Sequence, residues 1–260
     1  MKFGFYKYQG TGNDFIIVDN RKLKIKLSTK QIAHLCNRHF GIGSDGLMLL
    51  QNKKGLDFEM VYYNSDGKES TFCGNGSRCI VAFAKKLGVI KKSKITFLAT
   101  DGIHTAKING DVISMKMNDV KNIEVGKNFY LLNTGSPHYV KFAGGVKNAD
   151  IISEGKSIRY SDRFKKEGVN VNLAEKNGKG IYVRTYERGV EGETLSCGTG
   201  VTATALASSI HGVSTSKNHS KILTPGGELT VRFHRGNHNT FTDIWLEGPA
   251  KFAFKGEIEL

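Results

Sequence analysis

Glu69-Ser-Thr-Phe-Cys73-Gly-Asn-Gly76 and Glu193-Thr-Leu-Ser-Cys197-Gly-Thr-Gly200 are one pattern written twice. Each copy runs Glu, three residues, Cys, then Gly-x-Gly. Each leads into a run of helical character, at 77–87 and 201–211. Each run meets a glycine, Gly88 or Gly212, where a helix C-terminus favours one. Further out, Thr11-Gly-Asn13 is echoed by Thr134-Gly-Ser136, and Tyr63-Asn64 by Tyr186-Glu187, both at an offset of 123. The cysteines are offset by 124, as though the second copy gained one residue near Val190 or Glu191. A period this long predicts two homologous lobes, not the short units of a solenoid. Each lobe then offers a thiol at the start of a helix.

The flanking sequence is rich in strands. Alternating or apolar runs at 3–8, 14–19, 47–50, 57–63, 95–99, 103–108 and 112–117 read as strands, with Asn109-Gly110-Asp111 as a hairpin turn. The second half repeats this at 129–132, 181–186, 228–234 and 241–246. Stretches 146–160 and 162–167 give no clear period. Ser28-Thr-Lys-Gln31 has capping-box spacing and opens a helix in which Ile32, Leu35, Cys36 and Phe40 share a face. The expected fold is α+β. It has two pseudo-symmetric lobes, each a mixed or antiparallel sheet wrapped around a central helix, with the active site in the cleft between them. The expected lobes are 1–118 plus 250–260, carrying Cys73, and 119–249, carrying Cys197.

The composition suits a globular chain of 260 residues, with 39% hydrophobic and 24% charged residues. The formal net charge is +14. The basic residues are scattered, and no basic helix with interleaved aromatics argues for nucleic acid. The N-terminus alternates like a strand and lacks the apolar run of a signal peptide, and no stretch reaches membrane-spanning length. The chain reads as cytoplasmic, with no membrane partner. Four cysteines without C-x-x-C spacing argue against a disulfide framework or a zinc site, so no metal is expected. Cys36 and Cys79 read as core residues.

Cys73 and Cys197 differ from these because of their surroundings. A helix start supplies N–H groups and partial positive charge, which lower a thiol's pKa and hold a carboxylate. Two such starts acting on one carboxylate would put a thiol on each face of the adjoining carbon. One thiolate removes the α-proton, a thiol on the other face returns one, and configuration inverts. A redox pair is the rival reading, and it gives no reason for two anion sites.

These residues resemble the diaminopimelate epimerase family over nearly the whole chain. The likeness rests on Gly10-Thr-Gly-Asn-Asp-Phe15, Asn64-Ser-Asp-Gly67, Cys73-Gly-Asn-Gly-Ser-Arg78, Ser136-Pro-His138, Glu187-Arg-Gly189 and Gly192-Glu-Thr-Leu-Ser-Cys-Gly-Thr-Gly200. The resemblance implies interconversion of L,L- and meso-diaminopimelate without pyridoxal phosphate or any other cofactor, in lysine and peptidoglycan-precursor synthesis. It implies Cys73 and Cys197 as the acid/base pair, assisted by His138 and Glu187. It implies that the main-chain N–H groups of Gly74, Asn75, Gly198 and Thr199 hold the reacting carboxylate. Asn13, Asn64, Asn170 and Arg188 would hold the rest of the substrate, with Asn172 as the alternative to Asn170. The family suggests a homodimer. This chain departs from it at Ser136, where Asn is common, and at Gly46, where Gln is common. The segment from Arg188 to Glu193 is also one residue longer than the commonest form. Another cofactor-independent racemase on the same fold, acting on histidine for example, is the alternative.

Overall fold

The computed structural model describes residues 1–260 except Thr71, Lys179 and Thr215; Thr71 falls inside the first cysteine motif. The chain divides into one unit of Met1–Met115 with Pro249–Leu260 and a second of Lys116–Gly248.

In the first unit, β1 (Lys2–Gly10) and β2 (Asn13–Asp19) form an antiparallel hairpin. After α1 (Thr29–Cys36), β3 (Gly46–Gln51) lies parallel to β2. β4 (Phe58–Asn64) is antiparallel to β3 and pairs with the short β5 (Glu69–Ser70). Helix α2 (Gly74–Lys86) follows, then β6 (Lys94–Ala99) parallel to β4, and the meander β7 (Gly102–Asn109) and β8 (Val112–Lys116).

The second unit repeats this order after a two-residue strand, β9 (Glu124–Val125). β10 (Tyr130–Asn133) and β11 (Pro137–Phe142) form the hairpin. After α3 (Ile151–Arg159), β12 (Asn170–Asn177) lies parallel to β11 and antiparallel to β13 (Gly180–Glu187). β14 (Gly192–Thr194) leads into α4 (Gly198–His211), and β15 (His219–Thr224), β16 (Gly227–Arg235) and β17 (Phe241–Pro249) complete the copy. β18 (Lys251–Glu259) returns to the first unit and pairs with β1.

Each unit wraps its strands around the helix that follows its cysteine. In α4, Val201, Thr202, Ala203, Thr204, Ala205, Leu206 and Ala207 are all fully buried, so the helix has no solvent face. Its run of small residues lets strands approach on every side. In α2, Cys79, Ile80, Val81 and Phe83 are fully buried among Phe15, Met48, Phe58 and Phe97. Each large apolar side chain buried this way contributes about 1.5–3 kcal/mol.

Both helices begin earlier than the apolar runs suggest, at Gly74 and Gly198, so the Gly-x-Gly triplets form their first turns. Gly88 and Gly212 adopt the left-handed conformation expected after a helix end, with φ of 71° and 80°. The capping box at Ser28 is formed with Gln31. The helix it opens stops at Cys36, however. The Asn37 side chain accepts from the N–H groups of His39 and Phe40, turning the chain, and Phe40 is left 79% exposed instead of on a buried helix face. The stretch 146–160, which has no clear sequence period, holds a 3₁₀ turn at Val146–Asn148 and α3. Among the described residues no helix is long and apolar enough to cross a membrane.

Candidate active site

Cys73 and Cys197 are the N-cap residues of α2 and α4, both in extended backbone conformation. The helical ladders begin at Ser77 N–H, which donates to Cys73 C=O, and Val201 N–H, which donates to Cys197 C=O. The N–H groups of Gly74, Asn75, Gly198 and Thr199 therefore stand ahead of the ladder, where an anion is favoured. All four cysteines are free thiols. Cys36 and Cys79 are buried core residues, and burial pushes Cys79 up to about 12.

The surroundings of Cys73 come from the β1–β2 turn and from α2. Cys73 Sγ lies 3.6 Å from Asn13 Oδ1, which also accepts from Asn75 Nδ2. Asn13 is held in turn by the hydrogen bond its side-chain amide donates to the Asp45 carboxylate. Asp45 and Asp14 share Arg38, and Asp14 also pairs with the buried Lys7. Below the turn lies Arg78, a fully buried guanidinium. It donates to Thr11 Oγ1, Asn75 Oδ1, Gly74 C=O and Pro249 C=O. Asn13 thus sits against the thiol itself. Asn64, at the end of β4, is exposed.

The surroundings of Cys197 are buried more deeply. His138 is fully buried on β11, not at the surface as its loop-like sequence context allows. Its Nδ1 is 3.1 Å from Asn172 Nδ2 and its Nε2 is 2.9 Å from Thr199 Oγ1. Burial, and then the charge of Arg188, push its pKa down to about 3, so the ring is neutral near pH 7. Thr199 Oγ1 lies 3.4 Å from Cys197 Sγ.

Glu187, at the end of β13, accepts from the Thr194 hydroxyl and from the Cys197 thiol. It does not pair with Arg188, whose guanidinium donates instead to Glu167 C=O. Burial raises Glu187 above the usual carboxylate range. For Cys197, burial first and the Glu187 carboxylate second push the thiol up, while the Thr199 hydroxyl and Gly200 N–H pull it down. At rest, burial and Glu187 thus oppose the lowering expected of a helix start at Cys197.

Asn170 spends its side chain on the protein. Its amide donates to Ser136 Oγ and Pro137 C=O, and its carbonyl accepts from Arg188 N–H. Asn172, the alternative, faces His138. The departure at Gly46 has a steric counterpart, since a Cβ there would come within 2.6 Å of the Tyr62 ring. The extra residue in the second copy is accommodated at Glu191, at φ 56°, whose carboxylate accepts from Tyr160, Tyr186 and Gly189 N–H.

Sequence reasoning assigned no role to Arg78, Thr185 or the Asn172–His138 contact. At the offset of 123 the sequence sets His138 and Thr185 opposite Phe15 and Tyr62 but Val171 opposite Met48, and the strand registers are what put Asn172 in the place of Met48. Three polar residues where the other copy is largely apolar mark a place where burial alone is not the purpose.

The same two-lobed α+β architecture occurs in a Bacillus anthracis phenazine biosynthesis protein of the PhzF family, at 12% identity, a TM-score of 0.76 and full coverage of both chains. It occurs also in a probable proline racemase from Agrobacterium radiobacter, at 14% identity and a TM-score of 0.69, covering 99% of this chain and 93% of that one. These likenesses define the fold class. A sequence model of the family described as diaminopimelate epimerase matches residues 5–123 and 130–253. A diaminopimelate epimerase from Flavobacterium psychrophilum is 53% identical over 256 residues, covering 97% of this chain and 99% of its own. One from Chlorobaculum tepidum is 37% identical, covering 96% and 99%. The chain belongs to the diaminopimelate epimerase family, and so to the isomerases.

Proposed function

We propose that this chain converts L,L-diaminopimelate to meso-diaminopimelate and back, with Cys73 and Cys197 as the two proton-transfer groups at one carbon. The observation that carries this reading is the pair of N-cap thiols, each beside first-turn N–H groups, in a chain 53% identical to a diaminopimelate epimerase. In each direction one sulfur starts as thiolate and takes the α-proton, and the other starts as thiol and gives one up. The N–H groups of Gly74, Asn75, Gly198 and Thr199 take the carboxylate and the charge that grows on it. Glu187 accepts from the Cys197 thiol and takes up its proton when the sulfur must act as base. Burial of Glu187 favours that step, because a carboxyl with a raised pKa is the better proton acceptor. Arg188 suits the distal carboxylate by its planar fork. Asn170 organises Ser136 and Arg188 around that end, Asn64 is a further substrate contact, and Asn13 contacts the substrate beside the Cys73 thiol. The product would feed lysine and peptidoglycan-precursor synthesis.

The test is incubation with L,L-diaminopimelate in deuterated water, followed by chiral separation and mass measurement. Meso product carrying one deuterium at the inverted carbon is expected. No meso product, with turnover of L-histidine to its D-form, would transfer the assignment to the alternative racemase.

A further inference from the structure

His138, Asn172 and Thr199 are more tightly specified than an assisting histidine needs. The Asn172 amide has one orientation available. Its Nδ2 donates both to His138 Nδ1 and to Tyr139 C=O at 3.0 Å, while its Oδ1 accepts from the Thr185 hydroxyl at 3.0 Å. Turning the amide over would set its oxygen against the Tyr139 carbonyl oxygen, a repulsion in place of a hydrogen bond. Because Nδ2 is a donor, Nδ1 of the neutral ring is an acceptor, and the ring hydrogen lies on Nε2. Nε2–H therefore donates to Thr199 Oγ1, and since the Cys197 thiol donates to Glu187, the threonine's own hydrogen is available to Cys197 Sγ, 3.4 Å away.

We propose that Asn172, His138 and Thr199 form a one-way hydrogen-bond relay that stabilises the Cys197 thiolate whenever its proton is on the substrate, with Asn172 as the positioning residue that fixes the relay's direction. The proposal deepens the epimerase reading and takes its meaning from it. Cys197 gives its proton to the substrate in one direction and must start as thiolate in the other. In both, a thiolate exists in a buried place beside Glu187. A hydroxyl donor already aimed at the sulfur offsets part of that cost without reorganisation. The charged and titratable groups facing Cys197 are Glu187 from β13, His138 from β11, and Arg188 acting through His138.

The experiment is pulse labelling of the ligand-free protein with iodoacetamide from pH 5 to 11. Peptide mass spectrometry reads Cys197 and Cys73 separately, so Cys73 is an internal control. Thr199→Val, which keeps shape and loses the hydroxyl, should move the Cys197 labelling midpoint up by about one pH unit. Thr199→Ser should restore it. Asn172→Asp reverses the ring, since its carboxylate binds Nδ1–H and leaves Nε2 to take the threonine hydrogen. It should shift Cys197 in the same direction, and the imidazole nitrogen resonances should change from the Nε2–H to the Nδ1–H pattern. Cys73 should stay in place throughout. An unmoved Cys197 midpoint in folded Thr199→Val, or an Nδ1–H ring in the unaltered protein, overturns the relay. Labelling needs no turnover, so a failed chiral assay would remove the epimerase reading without deciding this result.

Discussion

The two cysteine helices stand on equivalent strands built from different chemistry. In the first unit, Phe15 on β2, Met48 on β3 and Tyr62 on β4 pack beside α2, and Met48 is directly opposite Tyr62. In the second, the same places carry His138, Asn172 and Thr185, and Asn172 is directly opposite Thr185. Behind Cys73 lies the buried cation Arg78; the corresponding Thr202 behind Cys197 donates its hydroxyl to Gly198 C=O. One backbone plan thus supports its thiol with a fixed charge, which no change near neutral pH can alter. The other uses neutral dipoles, whose direction depends on a single tautomer.

The largest effect that bears on this comparison is loss of either sulfur. Cys73→Ala and Cys197→Ala should each reduce epimerisation by about 10²–10⁴-fold while circular dichroism stays native. Full activity in either variant would refute the paired-thiol scheme. Next comes the support behind each thiol. Arg78→Met removes the guanidinium donors from Asn75, Thr11, Gly74 and Pro249 and should cost about 2–4 kcal/mol in urea unfolding. Thr202→Val removes one bond and should cost about 1 kcal/mol. Equal losses would mean that the guanidinium carries no special load.

The central glycines give a smaller contrast. A Cβ on Gly76 meets the flexible end of Met48, whereas one on Gly200 comes within 2.5 Å of Asn172 Oδ1, which three hydrogen bonds hold in place. Gly200→Ala should therefore lose at least about tenfold more activity than Gly76→Ala. The smallest effect is in pH dependence. His138 has a pKa of about 3 in the folded chain against an ordinary value of 6.5, so the unfolded chain binds the extra proton between those values. Its contribution is full above pH 6.5 and is lost as the pH falls towards 3. Glu187 has the opposite sign. Its raised value makes its contribution full below the ordinary 4.5 and lost as pH rises through the folded value. His138→Phe, which imports the residue of the first copy, should flatten the fall in stability between pH 7 and 4. An unchanged slope would show that His138 is not the group responsible.

Much of this molecule was written locally. The duplicated Glu-x-x-x-Cys-Gly-x-Gly pattern determined two lobes, two helices and the thiols at their N-termini, because helix ends and glycine turns are set by a few neighbouring residues. The same motifs fixed the family. Other features depended on neighbours far away in the chain. Nothing near Phe40 in the sequence announces the Asn37 turn that exposes it. Nothing near Cys197 announces that burial beside Glu187 raises its pKa despite the helix end. The direction of the His138 ring depends on Asn172, 34 positions away, brought alongside by the parallel pairing of β11 and β12. Desolvation and hydrogen-bond direction belong to a three-dimensional environment, and only the folded chain supplies one.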